Sequence, residues 1–462
     1  MSDRVIIRTY DVGFGDCIFV QIPDGQDKFC MLIDCGTSDP AERLKAAIAD
    51  VRTTLPEEGG KARLDLLVAT HPHADHIKGF DPAWFERFKI GRIWLTAFMK
   101  PDHPQAKKTL AFQNMAHAAA RGLLERSGLQ LAGGTRALLQ RSIWNPGALK
   151  ALREDLPQSS GIYPQYPLYV ARDVAKRLKV QERKQHKLKF EQGSTCFRGF
   201  KEPKTCLRVL APEWDIDKYY LGEGAFDGPA LSDPYLLGTQ AYGASAETLD
   251  GAGAAAFLEE GAALVHPENI SEHDFRQLRG RLLYSGLAFS QKDDKLKNNT
   301  SVVLLLEWRG RRLLFPGDAE WQGTGVEESR RNSTWDVMFH VPQVKQVLLQ
   351  PLDFLKAAHH GSHNGTPFLK GGKADYLEHM LSAQRTQVVV STVTGEHGED
   401  MPVPYPPLMQ ALGGLVANKR RYPHAPEEEL RSVDQPQRTD LEPPVQGKKV
   451  RYVEVAIDAA GA

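Results

Sequence analysis

An excess of one sign of charge is missing from this chain: across 462 residues, Lys plus Arg and Asp plus Glu number 58 each. The balance argues neither for nor against a nucleic-acid partner, and any basic surface has to be local. Long apolar runs are missing too. No stretch approaches the roughly 20 residues that a helix needs to cross a bilayer, so no membrane contact is expected. The opening Met1-Ser2-Asp3-Arg4-Val5-Ile6-Ile7 enters a strand pattern without the apolar core or cleavage site of a secretory signal. Cysteine is scarce. Cys17, Cys30, Cys35, Cys196 and Cys206 show no metal-binding spacing, and an odd number of thiols fits a reducing compartment better than a disulfide framework. These absences make the cytoplasm the expected location. What remains, 41% hydrophobic and 25% charged residues, is the make-up of an ordinary globular protein. The length suffices for a large core and two or three structural units.

Histidine and aspartate supply the signal. Thr70-His71-Pro72-His73-Ala74-Asp75-His76-Ile77-Lys78-Gly79 places three imidazoles and a carboxylate within six positions, straight after the mostly apolar residues 64–69. Alternate side chains on an extended backbone share a face, so His71 and His73 can address one ion, while Asp75 and His76, on the turn beyond, can reach a second. An apolar strand followed at once by polar residues recurs three more times. Met31-Leu32-Ile33 precedes Asp34-Cys35-Gly36, Leu313-Leu314-Phe315 precedes Pro316-Gly317-Asp318-Ala319-Glu320, and residues 354–358 precede His359-His360-Gly361-Ser362. Each alone would read as a solvated turn; together they are the carboxylate and imidazole set of a hydrolytic metal site.

This ordered set resembles the metallo-β-lactamase fold superfamily. Within it, Asp11-Val12-Gly13-Phe14-Gly15-Asp16-Cys17 and Asn298-Asn299-Thr300-Ser301 are similar to the "DVGQGD" and "NNxS" elements in the soluble hydrolase domain of ComEC-type DNA-internalisation competence proteins. The resemblance covers about the first hundred residues and most of residues 298–412; those proteins join the domain to a membrane channel, so their role in DNA uptake does not carry over whole. It implies an α/β fold, the αββα sandwich, holding two divalent metal ions, zinc in the first place and manganese as the alternative. By the family pattern His71 and His73 hold the first metal, Asp75, His76 and one histidine of the "HHGS" turn hold the second, and Asp318 bridges. Related hydrolases use a His-x-Ser arrangement in that turn, which favours His360 over His359 as the ligand and leaves the other imidazole to contact substrate or donate a proton. Asp75, Asp318 and His359 are thus the catalytic candidates. Asp34 is read as an orienting residue that accepts the free ring N–H of a bound histidine. Both Asp34 and Asp16 also fit ordinary turn positions, and neither is assigned a catalytic role.

Two departures from the family pattern bear on the site. Many members place a further histidine on the first metal where this chain, like the competence-type proteins, offers "NNTS". The first metal would then be weakly held, or completed by water, Asn299 or substrate. Where the competence family has a "GHP" type of segment, this chain has Thr394-Gly395-Glu396-His397-Gly398-Glu399. His397 is a candidate substrate contact there, against the plainer reading of an exposed loop histidine.

Short strands are expected at residues 5–10, 17–22 and 29–33, a helix at 41–52, and strands at 64–69 and 91–98. Residues 105–127 and 135–156 carry Ala, Leu and Arg at helical intervals, which predicts a mainly helical insertion with a strand near 206–210. A hairpin over Arg309-Gly310, a helix at 374–381, a strand at 386–391, an irregular stretch at 420–447 and a last strand at 449–457 complete the pattern. The division is therefore residues 1–98 and 298–462 as the halves of the sandwich, the latter with a C-terminal extension, and 99–297 as the insertion. Within it, Lys176, Arg177, Arg183 and Lys184 belong to a basic segment followed by Phe190, Phe197 and Phe200. That is either a solvated helix face or a stripe that tracks phosphates while the rings stack on bases. The insertion could equally bind a protein partner or form a homo-oligomer contact.

The expectation is a metal-dependent hydrolase that cleaves phosphodiesters, a nuclease using a metal-bound hydroxide. The alternatives are a hydrolase of small phosphoesters or lactones, and a degenerate scaffold that binds a partner.

Overall fold

The computed structural model describes residues 3–106, 124, 145–169, 196–216, 219–220, 271, 295–322, 332–368, 375–395, 402–418, 436–441 and 450–461. The chain divides into two compact units, one of Met1–Lys100, Asn145–Trp214 and Asn298–Ala462, the other of Pro101–Trp144 and Asp215–Lys297. The second falls almost wholly outside the described residues, as does most of the helical insertion expected over 99–297. Part of that stretch, Asn145–Trp214, belongs to the first unit.

The first half of that unit supplies β1 (Arg4–Tyr10), β2 (Cys17–Asp24), β3 (Asp27–Cys35), β4 (Glu57–Glu58), β5 (Lys61–Leu64), β6 (Leu66–Ala69), β7 (Phe88–Ile90) and β8 (Ile93–Leu95). The remainder supplies β9 (Cys196–Phe197), β10 (Thr205–Ala211), β11 (Val303–Trp308), β12 (Arg311–Phe315), β13 (Phe354–Lys356), β14 (Gln387–Val390), β15 (Gln437–Arg438) and β16 (Tyr452–Asp458). They pair into a six-stranded sheet, β16-β1-β2-β3-β6-β8, and a seven-stranded one, β15-β14-β13-β12-β11-β10-β9, with β4-β5-β7 as a small third. The β11–β12 turn is tight because Trp308 pairs with Arg311, leaving Arg309 and Gly310 at positive φ. Such two-residue turns match the twist of the flanking strands.

Burial explains the layering. One core joins the inner faces of both large sheets, with Val5, Ile18 and Met31 from the first meeting Leu207, Leu304 and Phe315 from the second. The other face of the second sheet is covered by the helices Thr334–His340, Asp375–Met380 and Pro406–Leu415, which bury Trp335, Leu377 and Leu412 against Val303 and Leu355. The first sheet carries the helix Glu42–Thr54, whose Leu44, Ala47, Ile48 and Val51 are buried and whose Asp50 binds Arg8 and Tyr10 of β1. A mixed α/β sandwich with helices outside each large sheet is the result.

Two expectations change. The cysteines do include a pair, since Cys196 of β9 and Cys206 of β10 are disulfide-bonded, while Cys17, Cys30 and Cys35 stay free and buried. Antiparallel pairing of β9 with β10 is what brings the two together. Phe197 is no stacking platform, because it lies in the shared core against Trp94. Phe200 packs on Phe29 and Phe197. Among the described residues, no helix is long and apolar enough to cross a membrane.

A candidate metal centre at the strand ends

β3, β6 and β8 run parallel, and so do β12, β13 and β14. Open parallel sheets gather their chemistry at the carboxyl ends of strands, and here two sheets do so at one place. Asp34 closes β3, Thr70 and His71 follow β6, Asp318 follows β12, His359 and His360 follow β13, and Ser391 follows β14. The Val302 N–H donates to the Thr70 carbonyl at 3.0 Å, tying the two edges together.

Asp75, His76, Asp318 and His360 present one ligand atom each within 4.8 Å of one another. All are buried, none more than 2% exposed. The short helix Ala74–Ile77 turns Asp75 and His76 inward. Glycine lets the neighbouring loops close on them: a Cβ on Gly36 would sit 2.2 Å from the backbone carbon of Asp75 and the nitrogen of His76, and one on Gly15 would sit 2.7 Å from the Asp75 carbonyl oxygen. No other residue fits so close an approach.

The imidazoles are held from behind. His76 Nδ1 donates to Asp34 Oδ2 at 2.8 Å, and His360 Nδ1 donates to the Ser391 carbonyl at 3.0 Å. Both Nε2 atoms therefore face inward, His76 Nε2 at 3.2 Å from Asp318 Oδ2 and His360 Nε2 at 3.5 Å from the same oxygen and 3.4 Å from Asp75 Oδ2. Neither Nε2 aligns for a hydrogen bond, and Asp75 Oδ1 and Asp318 Oδ1 have no hydrogen-bond partner. Two imidazoles and two carboxylates converging in a buried cluster, each with an atom left without a well-aligned hydrogen bond, is the donor arrangement of a cation site. Two carboxylates and two imidazoles suit zinc or manganese.

Electrostatics agrees. Burial opposes a charged His76, yet the carboxylates of Asp318, Asp34 and Asp75 hold it well above the ordinary imidazole range. Burial likewise opposes charge on His360, and Asp318 and Asp75 outweigh it to lift the ring to about 9. Asp318 stays well below the usual carboxylate range because His76 and His360 overcome its burial. The field that draws a proton onto each Nε2 is the field that would draw a divalent ion there.

His71 and His73 stand beside this group instead of within it. His73 Nδ1 donates to His71 Nε2 at 2.9 Å, His71 Nδ1 to Thr70 Oγ1 at 3.1 Å, and Thr70 Oγ1 to Asp34 Oδ2 at 2.7 Å. His71 Nε2 lies 3.8 Å from Asp318 Oδ2. Burial, then the neighbouring His76, keeps His71 well below the imidazole range and hence neutral, as a ligand must be.

His359 turns away from the cluster. Its Nδ1 is 3.8 Å from Glu320 Oε1, and the Asn298 side-chain amide is 3.5 Å from its Nε2. Its side chain is 12% exposed, against 1% for His360. Asn299, read from sequence as a possible completing ligand, is buried with its amide committed elsewhere: Nδ2 donates to Glu320, and Oδ1 accepts from Thr334. His397, Lys176, Arg177, Arg183 and Lys184 lie outside the described residues. Sequence reasoning passed over Glu320, Ser391 and Lys356. The signal for Lys356 was present, since a lysine inside the apolar stretch Phe354–Ala358 cannot be buried without a partner.

The deciding comparison covers Asp34 and the whole histidine loop. Residues 10–121 match the family model of the metallo-beta-lactamase superfamily. They are a metallo-beta-lactamase superfamily domain. Metal binding and hydrolysis are what that superfamily suggests, and the match reaches Asp34, His71, His73, Asp75 and His76 but stops short of Asp318 and His360. Those two enter the centre through the geometry above. No curated protein matches the chain.

Proposed function

We propose that this protein is a two-metal hydrolase that cleaves phosphodiesters, with nucleic acid as its substrate class. The observation that carries it is the buried convergence of Asp75, His76, Asp318 and His360, each offering a ligand atom within 4.8 Å of the others. The phosphodiester part is supported by the likeness of residues 11–17 and 298–301 to the competence-type hydrolase domain.

Asp318 suits the shared position because its Oδ2 is within reach of His71, His76 and His360. His71 and His73 would hold one ion, and Asp75, His76 and His360 the other. Bound divalent ions polarise a phosphoryl oxygen and lower the pKa of water from 15.7 to about 7. The protein's own groups do the rest. Asp34 and the Ser391 carbonyl fix the tautomers of His76 and His360. His359, partly exposed and facing Glu320, would be the group that protonates the leaving oxygen.

The test is turnover of single-stranded DNA, duplex DNA, RNA and bis-p-nitrophenyl phosphate by zinc- or manganese-loaded protein, with a lactone and a phosphomonoester alongside. Phosphodiester cleavage that stops in EDTA is the expected result. Metal content near zero after loading would overturn the metal reading. Lactone or monoester turnover without any diester cleavage would overturn the substrate class alone.

A further inference from the structure

Behind the cluster lies a buried ion pair that the catalytic reading leaves unused. Lys356 ends β13 with its side chain 1% exposed, and its Nζ donates to Asp16 Oδ2 at 2.9 Å and to the Ala357 carbonyl at 3.0 Å. Asp16 is equally buried, 340 residues earlier in the chain. Taking both charges out of water is expensive, and such pairs add little net stability over apolar packing, so a role in geometry is the better account.

The connections of Asp16 supply that geometry. Its Oδ1 accepts the hydroxyl of Ser391, whose carbonyl in turn accepts His360 Nδ1–H at 3.0 Å. Its backbone N–H donates to the Asp75 carbonyl at 2.9 Å, and its carbonyl accepts from Gly36 N–H at 2.9 Å. The loop is pinned from above as well, with the Phe14 ring centred 4.3 Å from that of His360. Asp16 also comes within 4.8 Å of Asp34 and His76 as a second, wholly buried acidic group. For Asp16 the countercharge is the ammonium of Lys356.

We propose that Asp16 and Lys356 are positioning residues for the ion held by Asp75, His76 and His360. Lys356 neutralises Asp16, and Asp16 then holds the Ser391 carbonyl against His360 and the backbone of Asp75 in place, so that ligands from two separate strand ends keep one spacing. This inference rests on the metal-dependent reading above.

The experiment uses the full chain, stripped with EDTA and titrated with zinc against a chromophoric chelator, then loaded with cobalt for its visible spectrum. In the double variant Asp16→Asn, Lys356→Met both charges leave together. It should unfold cooperatively without metal yet bind one zinc about tenfold more weakly, as losses behind a ligand do, with shifted cobalt bands. Ser391→Ala, which keeps every charge, should shift the bands in the same direction with a smaller loss of affinity. Wild-type affinity and spectrum in both variants would overturn the proposal, leaving the pair a structural tie. If the double variant does not fold, Ser391→Ala alone decides by the same criterion. Failure of the unaltered chain to take up zinc or cobalt overturns the metal reading itself, a different result from normal uptake by every variant.

Discussion

Asp34 accepts His76 Nδ1–H at 2.8 Å from a backbone in the left-handed region, φ 56°. Four non-glycine residues among those described have positive φ, and three of them, Asp34, His359 and His360, stand at this centre. Such conformations cost about 1–3 kcal/mol each and persist where the surroundings over-determine them. For Asp34 the surroundings are two hydrogen bonds from Thr70 and one from His76. Burial pushes its carboxyl up, against the pull of His76. The strain is held in the residue that aims His76.

Removing that residue should therefore loosen metal without abolishing it. Asp34→Ala is expected to weaken zinc binding about 10- to 100-fold, the usual effect of losing a group behind a ligating histidine. Asp318→Ala, which removes an oxygen within 3.8 Å of three imidazoles, should lose more in both affinity and turnover. Zinc titration of the two variants side by side checks this. Equal losses with unchanged metal content would count against the shared role of Asp318.

The two histidines of the "HHGS" turn should separate by phenotype. His360 Nε2 faces Asp75 and Asp318, so His360→Ala should lower metal occupancy. His359 faces Glu320 and solvent, so His359→Ala should keep the metals and lower kcat by about 10²- to 10⁴-fold if it donates the proton. Elemental analysis together with steady-state kinetics distinguishes the two, and the reverse pattern would exchange the assignments.

The strand ends were legible because each apolar run meets a charged or imidazole residue at once, and a short continuous apolar run needs no distant partner to be seen. Asp75 and His76 were legible for the same local reason. What joins Asp16 to Lys356 was not, since 340 residues separate them and only the folded sheets reveal the pairing. Phe197 misled in the opposite way. Following a basic run it looked available to a nucleic acid, yet the pairing of Phe197 with Leu207 turns it into the core. Asn299 sits in the right motif, but Thr334, on a helix that a local reading does not bring near it, takes its side-chain oxygen.

Close backbone approach gives a test that touches no ligand. Gly36→Ala puts a Cβ 2.2 Å from the backbone of Asp75 and His76, and neither can move without the loop. The variant should lose about 1–3 kcal/mol of stability, the usual penalty for overpacking, and weaken metal as well. Gly59→Ala, with open space around the Cβ but φ of +63°, controls for backbone strain alone. Thermal melts in EDTA and with zinc measure both effects. Metal affinity unchanged in Gly36→Ala would mean that the loop spacing is not what sets the site.

Metal should also report on folding. A ligand that binds only the folded chain stabilises it by mass action, about 2.7 kcal/mol at a free concentration one hundred times Kd. Tm should rise with zinc and return to its base value in EDTA. In His76→Ala, which removes an inward Nε2 atom, the dependence should be much weaker. A Tm that ignores zinc in the unaltered chain would contradict a site built from these four residues.

If the substrate is a polymer, the candidates to hold it lie outside the described residues. Net charge is zero, so if a polymer is held, a local basic stripe has to hold it. Lys176, Arg177, Arg183 and Lys184 form the segment singled out by sequence. Replacing all four by Glu should weaken cleavage of DNA or RNA and leave bis-p-nitrophenyl phosphate turnover nearly unchanged, because the metal centre is built from other parts of the chain. Polymer binding by the unaltered protein should also fall steeply with salt, since each neutralised phosphate releases counterions with a slope of about −0.9 per contact on duplex DNA. Loss of the aromatic partner at Phe197, which is buried in the core, shifts the burden of affinity onto charge and makes that slope the sharper measurement. Salt-independent binding with intact polymer cleavage by the charge-reversed chain would remove this segment from substrate recognition, and preference for a compact ester in the same assays would move the substrate class to small molecules.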